Sequence, residues 1–492
     1  MTHHFLQVQV LRTLNVNNRE QNVFITLIDV QSVASYSDMV PGYLAKLYPT
    51  NHTVTIDLHQ LADWAKITFI NDGVLDVDVD KQLVYLVEQS APIPYDVISF
   101  DIGSATKGLD EISGAFDFAI PTRPISDLIQ RIELADADVT KLIQEVEVEE
   151  DDGGAPKTKS AAAAENTRKA IQVVVVGGGC SGIELALSLI GRWRPILGDL
   201  LDVTLVTSEC VLLPGISVAG RKALEHVLEQ KATQIYYNTQ VTEVQEDSIL
   251  FDCGMKIPFT HCLLATGAGC HDLALALKQR GLATTTDGWI EVNEFLQSVS
   301  HPNIFAAGDC CALHTTQNEM LPKSGIISMQ EGPILTRNLA RYLKSSEHPL
   351  NSYQPQDDSL KLIGCGDGIG LGFHFGMVMQ GKWVWQLKDA MDTRFLKLFL
   401  PQDLSHQSSP WNMTEYDEIN DIPMLPLEAA DAAALLQRTD DNVDYKEVWA
   451  ILKHMISYKA YRLQVLQCLQ MPTWQDELSS LFTILPPAQV AS

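Results

Sequence analysis

The sequence predicts an α/β fold built around a parallel sheet, and three observations support this prediction. The first is the segment 171–186, IQVVVVGGGCSGIELA, in which a β-branched run meets a glycine triplet and an apolar helix start. The second is another apolar strand at 203–206, which follows about 20 residues after the triplet. The third is position, since more than a third of the chain precedes this segment and leaves room for another domain.

The glycine triplet matches a dinucleotide-binding turn. Residues 173–176 would form a buried strand, Gly177 the tight turn, and Gly179 the point where the backbone approaches a pyrophosphate. Gly182 would let the next helix, 183–190, pack closely on that strand. The pyrophosphate would lie at the helix N-terminus, where free N–H groups and the helix dipole favour negative charge. The alternative, a glycine-rich turn without a ligand, is disfavoured by the strand before it and the helix after it.

The choice between NADH and NADPH is open. An acid at the end of the second strand would bind the ribose of NAD, but VTLVTSE at 203–209 places Thr207 there. Glu209 follows two residues later and Arg221 lies further along the chain.

Composition excludes several classes of protein. A chain of 492 residues with 46% hydrophobic content can bury about two or three ordinary cores. Its net charge of −27 argues against nucleic-acid binding, which needs a basic surface. The sequence shows no apolar run of the roughly 18 residues that span a membrane, and MTHHFLQVQVLRTL lacks the features of a signal peptide. We therefore expect a soluble protein of the cytoplasm or another intracellular compartment.

The nine cysteines exclude a redox-active disulfide. The first is Cys180, and no two are spaced as in a CxxC or CxxxxC motif. Their scattered spacing also fails the pattern of a zinc site, so no metal is expected. We expect buried free thiols in a reducing compartment, and the adjacent Cys310 and Cys311 stand out only because they follow a strand-end motif.

Two further motifs come after the triplet. CLLATGA at 262–268 is a strand that ends in Ala-Thr-Gly, and HPNIFAAGDCC at 301–311 is a strand that ends at Gly308 and Asp309. An acid at the carboxyl end of a parallel strand can accept hydrogen bonds from a ribityl hydroxyl. Each motif alone could be a simple strand-to-loop turn. Together, in this order, they resemble the two-dinucleotide flavoproteins, in which FAD and NAD(P)H occupy separate Rossmann-like domains.

Within that superfamily the chain resembles type II NADH dehydrogenases, and most closely the flavoprotein module fused to selenide, water dikinase. The match extends over most of residues 1–400, but the glycine- and cysteine-rich catalytic segment of the dikinase is not found after Phe399. Six segments carry the resemblance: ITLIDVQSVASYSDMVPGYLAKLYP (25–49), IDLHQLADWA (56–65), YDVISFDIGS (95–104), IPTRPI (120–125), PKSGIISMQEGPIL (322–335) and GKWVWQLKDAMDTRF (381–395).

The resemblance implies two three-layer Rossmann-like domains, with the NAD(P)H domain inserted in the FAD domain and an α+β region after them. An acidic, low-complexity stretch, VEVEEDDGGAPKTKSAAAAENTRK, is expected to form a disordered or loosely helical linker. The implied bounds are 1–126 and 269–345 for the FAD domain, 146–169 for the linker, 167–268 for the NAD(P)H domain, 355–400 for the C-terminal region of the module and 401–492 for a helical extension.

The beginning of the FAD domain departs from the family pattern. Such flavoproteins start with a strand and a glycine-rich loop, whereas residues 3–14 resemble the helix that follows them. The second strand, 23–28, then leads to Asp29, the acid that would bind the adenosine ribose of FAD. Two neighbouring strands would lose a central partner, at a cost of about 1–3 kcal/mol for each unpaired buried group. We expect either a start downstream of the natural one, which we favour, or a loss of tight FAD binding.

The resemblance also implies roles for single residues. Asp309, preceded by Gly308, would hold the ribityl chain of FAD, and Gly103 and Gly267 would line the turns between the domains. Glu184 matches the glutamate that lies near the flavin and nicotinamide in type II NADH dehydrogenases. Alternatively, Glu184 only neutralises the first turn of its helix. Hydride would pass from NAD(P)H to FAD and then to a second substrate, so the cofactors supply the chemistry.

The segment 327–333 bears on the electron acceptor. Relatives tend to have Arg-Gln or Gln-Gln before Gly-Pro, whereas this chain has Gln330 and Glu331. Added negative charge beside the flavin or a quinone puts quinone use in doubt. Lys323, expected to line the same cofactor site, would offset part of that charge.

Two features follow the cofactor motifs. Trp383 and Trp385 alternate as strand residues that would fill a core or, less favoured, cover the flavin. Residues 445–470 show the pattern of a basic amphipathic helix, which would pack on the FAD domain or on a second copy of the chain, or lie on a membrane surface. We favour packing, because apolar residues occupy more than one face.

Two functions remain open. The first is an FAD-dependent NAD(P)H oxidoreductase that reduces a quinone or another small acceptor, which Asp29, Asp309 and the Ala-Thr-Gly motif favour. The second is a non-catalytic nucleotide-binding or partner-binding protein that has lost its flavin site, which the departure near the N-terminus favours.

Overall fold

In the computed structural model of the chain, the described residues are 23–151, 170–313, 320–343, 349–355, 360–374, 376–397 and 399. All of them belong to one unit, 1–418, and a second unit covers 419–492. The segments 3–14 and 445–470 and most of the predicted linker therefore lie outside the described residues.

Helices and strands are numbered here in chain order over the described residues. The helices are α1 (Val40–Leu44), α2 (Leu58–Ala65), α3 (Ala115–Phe118), α4 (Ile125–Asp151), α5 (Cys180–Leu197), α6 (Val218–Gln230), α7 (Asp272–Gln279), α8 (Gly325–Leu343) and α9 (Lys382–Lys397). The strands are β1 (Thr26–Asp29), β2 (Val33–Ser35), β3 (Thr55–Asp57), β4 (Thr68–Asn71), β5 (Val74–Asp78), β6 (Leu83–Leu86), β7 (Ile93–Pro94), β8 (Ile98–Phe100), β9 (Ala105–Thr106), β10 (Ile120–Pro121), β11 (Ile171–Val176), β12 (Leu201–Val206), β13 (Thr233–Tyr236), β14 (Val241–Val244), β15 (Ser248–Phe251), β16 (Lys256–Pro258), β17 (His261–Leu264), β18 (Ala268–Gly269), β19 (Ile290–Val292), β20 (Ile304–Ala306), β21 (Cys311–Leu313), β22 (Lys361–Gly364), β23 (Gly370–His374) and β24 (Met377–Gly381).

A five-stranded parallel sheet has the order β10-β17-β11-β12-β13. Four of its strands lie in the segment predicted to bind NAD(P)H, and the edge strand β10 comes from residues 120–121. The valines of β11 alternate between two apolar clusters. Val173 and Val175 pack with residues of α5, whereas Val174 and Val176 pack with residues of β14 and β15. A strand buried on both faces needs a continuous apolar run, which explains why IQVVVV shows no polar alternation. The predicted α/β architecture is confirmed here, and the sheet has a layer on each face.

The segments predicted to bind FAD contain two pairs of parallel strands. β1 pairs with β4, and β8 pairs with β20. Among residues 23–151 and 170–313, no further strand pairs with β1 or with β8. A three-stranded antiparallel sheet of β5, β6 and β7 follows β4 along the chain. β1 ends at Asp29, as predicted, although it begins at Thr26 rather than at residue 23.

α4 extends six residues into the stretch predicted to be a linker, since it ends at Asp151. The acidic sequence continues the helix because glutamate is a good helix former and no glycine or proline occurs before Gly153. Apolar residues at helical spacing bury one face of α4: Leu128, Ile129, Ile132, Ala135, Val139 and Leu142.

The region after α8 is α+β, as predicted: β22, β23 and β24 form an antiparallel sheet on which α9 packs. The strand predicted for Trp383 and Trp385 is wrong, because both residues lie in the first turn of α9. Alternation over three residues is too short to distinguish a strand from a helix. Val384, Leu387 and Phe395 are buried at helical spacing, and they fix the face that α9 turns to the sheet.

Candidate functional site

Close contacts that only glycine permits build the turn between β11 and α5. Gly177 has a φ of +131°, and a Cβ there would lie 2.1 Å from the carbonyl oxygen of Ala265. A Cβ at Gly182 would lie 2.0 Å from the carbonyl oxygen of Gly177. These glycines therefore allow the tight turn and the close approach of α5 to the sheet, which is the arrangement that their spacing predicts.

Gly179 has a different environment from its two neighbours in the motif. It directly precedes α5, and no heavy atom of the described residues lies within 4 Å of the position that its Cβ would take. The N-terminus of α5 therefore faces an open space. Gly179 has no side chain that could cap the helix. Free N–H groups and the helix dipole make such a space suitable for a pyrophosphate. α5 itself begins at Cys180 and is longer at both ends than the predicted 183–190.

Thr207, at the end of β12, supports the glycine turn. A Cβ at Gly178 would lie 2.7 Å from Thr207 Oγ1, and the same oxygen accepts a hydrogen bond from the N–H of Glu209 at 3.2 Å. Glu209 is exposed, and Arg221 lies in the first turn of α6. The buried threonine thus packs against the turn at the place where many dinucleotide sites have an acid.

The carboxyl ends of β8 and β20 meet at Asp309. This residue lies in a single helical turn, Gly308–Cys310, and is 2% exposed. Its Oδ2 accepts a hydrogen bond from the Ser104 hydroxyl at 2.9 Å and lies 3.5 Å from Nη2 of Arg123. A buried carboxylate held by a hydroxyl and a cation at the ends of parallel strands is well placed to bind a ribityl hydroxyl.

Arg123 connects Asp309 to the Ala-Thr-Gly turn. Its Nη1 donates to the carbonyl oxygen of Gly267 at 3.0 Å, and its backbone N–H donates to Thr106 Oγ1 at 2.9 Å. Burial lowers the pKa of the guanidinium below its usual value, and the charge of Asp309 opposes that shift. Sequence reasoning gave no role to Arg123 or to Ser104, although both lie in segments that carry the resemblance.

The other residues predicted to bind FAD lie in turns at strand ends. Gly103 and Gly267 have φ values of +69° and +108°, which favour glycine. Asp29 closes the turn after β1, because its Oδ1 accepts a hydrogen bond from the N–H of Gln31 at 2.8 Å. Gly308 has a φ of +75°, so the chain can turn sharply from β20 into Asp309.

A cleft beside Asp309 contains a second buried carboxyl group. Glu331 of α8 is 2% exposed, and its Oε2 accepts a hydrogen bond from the N–H of Gly308 at 2.6 Å. Burial raises the pKa of Glu331 to about 7, and the neighbouring charge of Asp309 adds to the rise. The polar side chains that line the cleft include Asp309, Lys323, Ser324, Ser328 and Glu331.

Lys323 lines the same cleft and has contacts of its own. Its Nζ donates to the carbonyl oxygen of Cys311 and lies 4.5 Å from the centroid of the Trp289 ring. The ammonium group opposes the rise in the pKa of Glu331. Lys323 therefore offsets part of the negative charge of Glu331. Among the described contacts, no salt bridge joins the two side chains.

Glu184 lies at the contact between α5 and the C-terminal sheet. It is 8% exposed, and its Oε1 accepts a hydrogen bond from the N–H of Gly364, the last residue of β22, at 2.9 Å. Burial raises the pKa of Glu184 to about 7, and the charge of Lys388 opposes the rise. This hydrogen bond joins α5 to the end of β22. The role of Glu184 near the cofactors stays a prediction.

A buried charged group, formed by Lys388 and Asp392 of α9 with Tyr36 and Asp38, interacts with Glu184. Lys388 Nζ donates to Asp392 Oδ2 at 2.8 Å and to the carbonyl oxygen of Asp38 at 2.7 Å. The Tyr36 hydroxyl donates to Asp392 Oδ1 at 3.3 Å. Burial opposes a charge on Lys388, but the carboxylates around it outweigh this effect and raise its pKa. Sequence reasoning missed this group. The i,i+4 spacing of Lys388 and Asp392 is a local helical signal, but their contacts with residues 36 and 38 arise only through the fold.

The described cysteines are free thiols. Burial raises the pKa of Cys262 and of Cys310 to about 12, so both stay protonated near neutral pH. In the described part of the chain, no group of His, Cys, Asp and Glu side chains could hold a metal ion. The helices of that same part are all too short or too polar to cross a membrane.

The glycine turn on the five-stranded parallel sheet lies in the chain between β8 and β20, whose carboxyl ends meet at Asp309. This arrangement defines a two-nucleotide oxidoreductase fold. The chain belongs to the pyridine nucleotide-disulphide oxidoreductase family, whose model matches residues 13–332, more than half of the chain. This confirms the oxidoreductase superfamily that the motifs indicated.

The proteins similar to this chain include NADH:quinone oxidoreductases. Human ferroptosis suppressor protein 1 is 26% identical over 221 residues, which cover 42% of this chain and 55% of that protein. The type II NADH:quinone oxidoreductase of Haemophilus influenzae is 26% identical over 227 residues, 43% of this chain and 50% of that protein. The solved structure of NDH2 from Plasmodium falciparum matches with a TM-score of 0.63 at 14% identity, covering 81% of this chain and 95% of that chain. The chain spans about half the length of the curated relatives it matches.

FAD and NAD(P)H are the cofactors that this family and its two nucleotide folds imply, and the described residues fit both. The open space before α5, beside Gly179, fits the pyrophosphate of NAD(P)H. The buried carboxylate of Asp309, reached through the sharp turn at Gly308, fits the ribityl chain of FAD. Asp29 lies at the end of β1, and an acid at a strand end is a common feature of ribose-binding sites.

Proposed function

We propose that this protein is an FAD-dependent NAD(P)H oxidoreductase that passes electrons to a quinone or another small acceptor. The observation that carries the proposal is the side chain of Arg123, which binds the carbonyl oxygen of Gly267 in the NAD(P)H half and Asp309 in the FAD half. Hydride transfer requires two cofactors held next to each other. The contacts of Arg123 hold the Ala-Thr-Gly turn beside the turn that carries Asp309.

The NAD(P)H half would bind its nucleotide at the glycine turn, within the proposed domain bounds of 167–268. Gly177 and Gly182 shape the turn, and Gly179 leaves the space in which the pyrophosphate would meet the start of α5. Glu184, one turn further along α5, would lie near the reacting atoms. Because burial raises its pKa to about 7, it can hold or release a proton near neutral pH.

The FAD half would hold its cofactor along the strand ends of residues 1–126 and 269–345. Asp309 would bind the ribityl hydroxyls and Asp29 the adenosine ribose, while Gly103, Gly267 and Gly308 leave room for the cofactor at the turns. Lys323 would place positive charge in the cleft beside the flavin. FAD supplies the hydride-accepting chemistry, and the protein supplies position and electrostatics.

A quinone is the acceptor that we would test first. The relative from Haemophilus influenzae is named as an NADH:quinone oxidoreductase, which supports this choice. Glu331 counts against it, because a buried carboxyl group takes the position where relatives tend to have glutamine. Contact with a membrane surface or a second copy of the chain through 445–470 stays a prediction, since that segment lies outside the described residues.

We also propose that the chain is of the same type as the flavoprotein module fused to selenide, water dikinase. The six segments quoted above support this proposal, and they include the IPTRPI motif with Arg123 and the PKSGIISMQEGPIL motif with Glu331. A change in cellular selenide handling after deletion of the gene, restored by the full chain but not by a variant with Asp309 replaced by Ala, would support it. An unchanged selenide response in the deletion strain would count against it.

One observation favours a second function. Among the residues described between 23 and 313, β1 pairs only with β4 and β8 only with β20, so these four strands form two separate pairs in that part of the chain. A protein that binds NAD(P)H without a flavin, and acts through a partner, would tolerate such an arrangement. The two functions differ in a single measurable property, which is the presence of flavin.

The full chain should be mixed with FAD under anaerobic conditions, freed of excess cofactor, and then given NADH or NADPH. The oxidoreductase function requires a flavin absorbance spectrum that bleaches with one of the nucleotides and returns on addition of a quinone or another acceptor. NAD(P)H binding without retained flavin would instead establish the second function.

A further inference from the structure

Glu331 is a buried acid in the cofactor cleft to which the proposed reaction gives no task. It lies on α8, is 2% exposed, and accepts a hydrogen bond from the N–H of Gly308 at 2.6 Å. That N–H belongs to the residue directly before Asp309, so the Glu331 carboxyl group binds the same short turn that carries Asp309. A carboxylate removed from water beside another carboxylate is held in its charged form only at a cost in free energy.

Charged and titratable groups face Glu331 from each element packed against it. Asp309 comes from the Gly308–Cys310 turn, Lys323 from the segment before α8, Cys311 from β21, and Tyr353 from residues 349–355. The Cys311 thiol and the Tyr353 phenol are neutral near pH 7, because burial raises the pKa of each group. Lys323 is therefore the cation that acts on Glu331 among these groups.

Among the described contacts, neither Arg123 nor Lys323 forms an ion pair with Glu331. Arg123 pairs with Asp309, with 3.5 Å between Nη2 and Oδ2. Lys323 donates to the carbonyl oxygen of Cys311 and lies over the Trp289 ring. The cleft thus holds one carboxylate with its own cation and a second carboxyl group without one among the described contacts.

We propose that Glu331 takes up one proton from solvent when FAD binds, so that flavin retention weakens as the pH rises above neutrality. FAD brings a negatively charged diphosphate and a ring edge rich in carbonyl oxygens, which accept hydrogen bonds. An ionised Glu331 repels both and has no proton to donate, whereas the protonated carboxyl group removes the repulsion and can donate. The proton is lost by water or buffer and is bound to a carboxyl oxygen of Glu331. This inference rests on the proposed function, since it requires FAD in the cleft.

The expected pH dependence follows from the charge of Glu331 in the free protein. Burial raises the pKa of this carboxyl group to about 7. Below that pH the proton is already present, so FAD binding changes little with pH. Above it one proton must be taken up for each FAD bound, and the dissociation constant should rise by about tenfold per pH unit.

The test is calorimetry of FAD binding to the full chain from pH 6 to pH 8.5, in two buffers with different enthalpies of ionisation. The wild type should bind one proton per FAD at pH 8 and almost none at pH 6. Glu331→Gln keeps the shape of the side chain but cannot titrate, so its affinity should be independent of pH and its proton uptake zero. Glu246→Gln, the same change at an exposed position, should behave as the wild type.

Each outcome decides the proposal. FAD binding by the wild type without pH dependence, or proton uptake that persists in Glu331→Gln, overturns the role of Glu331 and leaves the oxidoreductase function in place. Failure of all three proteins to bind FAD at any pH overturns both. The wild-type calorimetry alone shows whether a proton is taken up, so the proposal remains falsifiable if Glu331→Gln does not fold.

Discussion

Arg123 and Asp309 form a buried ion pair at the junction of the two nucleotide-binding halves, with 3.5 Å between Nη2 and Oδ2. Their side chains are 8% and 2% exposed. The same guanidinium binds the carbonyl oxygen of Gly267, so one side chain ties the Ala-Thr-Gly turn to the acid proposed to hold the flavin. The stability of this junction and the position of the flavin should therefore depend on the same two residues.

Breaking the ion pair from one side should be costly. Asp309→Ala leaves the Arg123 charge buried without its partner, and we expect the free energy of unfolding to fall by about 3–5 kcal/mol. The double variant Arg123→Met/Asp309→Ala should lose less than Asp309→Ala alone, because no isolated charge remains. Chemical denaturation of the wild type and the two variants measures both losses, and a double variant that loses at least as much stability as Asp309→Ala would contradict this view of the pair.

Substitutions at two glycines of the same turn should have different effects, one on packing and the other on nucleotide binding. Gly182→Ala places a Cβ 2.0 Å from the carbonyl oxygen of Gly177, and overpacking of this kind costs roughly 1–3 kcal/mol. Gly179→Ala extends into open space from a backbone that alanine can adopt, at φ −82°. We expect it to leave the melting temperature unchanged while weakening NADH binding at least tenfold.

Thermal unfolding and NADH titration of both glycine variants test this expectation. A large loss of stability in Gly179→Ala would mean that the space before α5 belongs to the packing of the chain. Unchanged NADH binding in Gly179→Ala would mean that the nucleotide lies elsewhere.

Glu184 should make stability depend on pH. Its pKa is about 7 in the folded protein, whereas a glutamate in an unfolded chain ionises near its ordinary value of about 4.3. Between these values the folded state holds a proton that the unfolded state has lost, so stability falls as the pH rises. Glu184→Gln should match the wild type at pH 5 and exceed its free energy of unfolding by roughly 1–3 kcal/mol at pH 8.

Denaturation curves at both pH values, with Glu246→Gln as an exposed control, check this expectation. A Glu184→Gln protein that loses stability at pH 8 would show that the ionised carboxylate is favourable in the folded state.

Lys388 should be required for the charged group on α9. Its Nζ donates to Asp392 and to the carbonyl oxygen of Asp38, and Lys388→Met would remove the cation that interacts with the buried carboxyl groups of Asp392 and Glu184. We expect a loss of about 3–5 kcal/mol that becomes smaller at low pH, where those groups are protonated. A loss independent of pH would point to packing of the lysine chain alone.

The parts of the fold that follow local rules could be predicted from the sequence. The valine run of β11 and the positions of Gly177, Gly179 and Gly182 are set by close contacts within a single turn, and these contacts leave a signature in the sequence. The end of β1 at Asp29 follows from the same kind of local pattern.

The parts that depend on contacts distant in the chain could not be predicted. Arg123 meets Asp309 across more than 180 residues, and no spacing rule links them. Trp383 and Trp385 were placed in a strand because their alternation covers only three residues, while the helix of α9 is set by the buried face that it turns to β22 and β23. The outcome for Glu331 was intermediate: its departure from the family pattern was visible, but its burial and its bond to Gly308 required the fold.

Binding stoichiometry measures the proposed two-nucleotide function most directly. The full chain, Asp309→Ala and Gly179→Ala should each be titrated with FAD and with NADH, and bound cofactor counted per chain. We expect one FAD and one NADH for the wild type, a selective loss of FAD affinity in Asp309→Ala, and a selective loss of NADH affinity in Gly179→Ala. Two results would contradict the proposal of two separate sites joined at Arg123. One is a wild type that binds NADH but takes up no FAD, and the other is a folded variant that loses both cofactors.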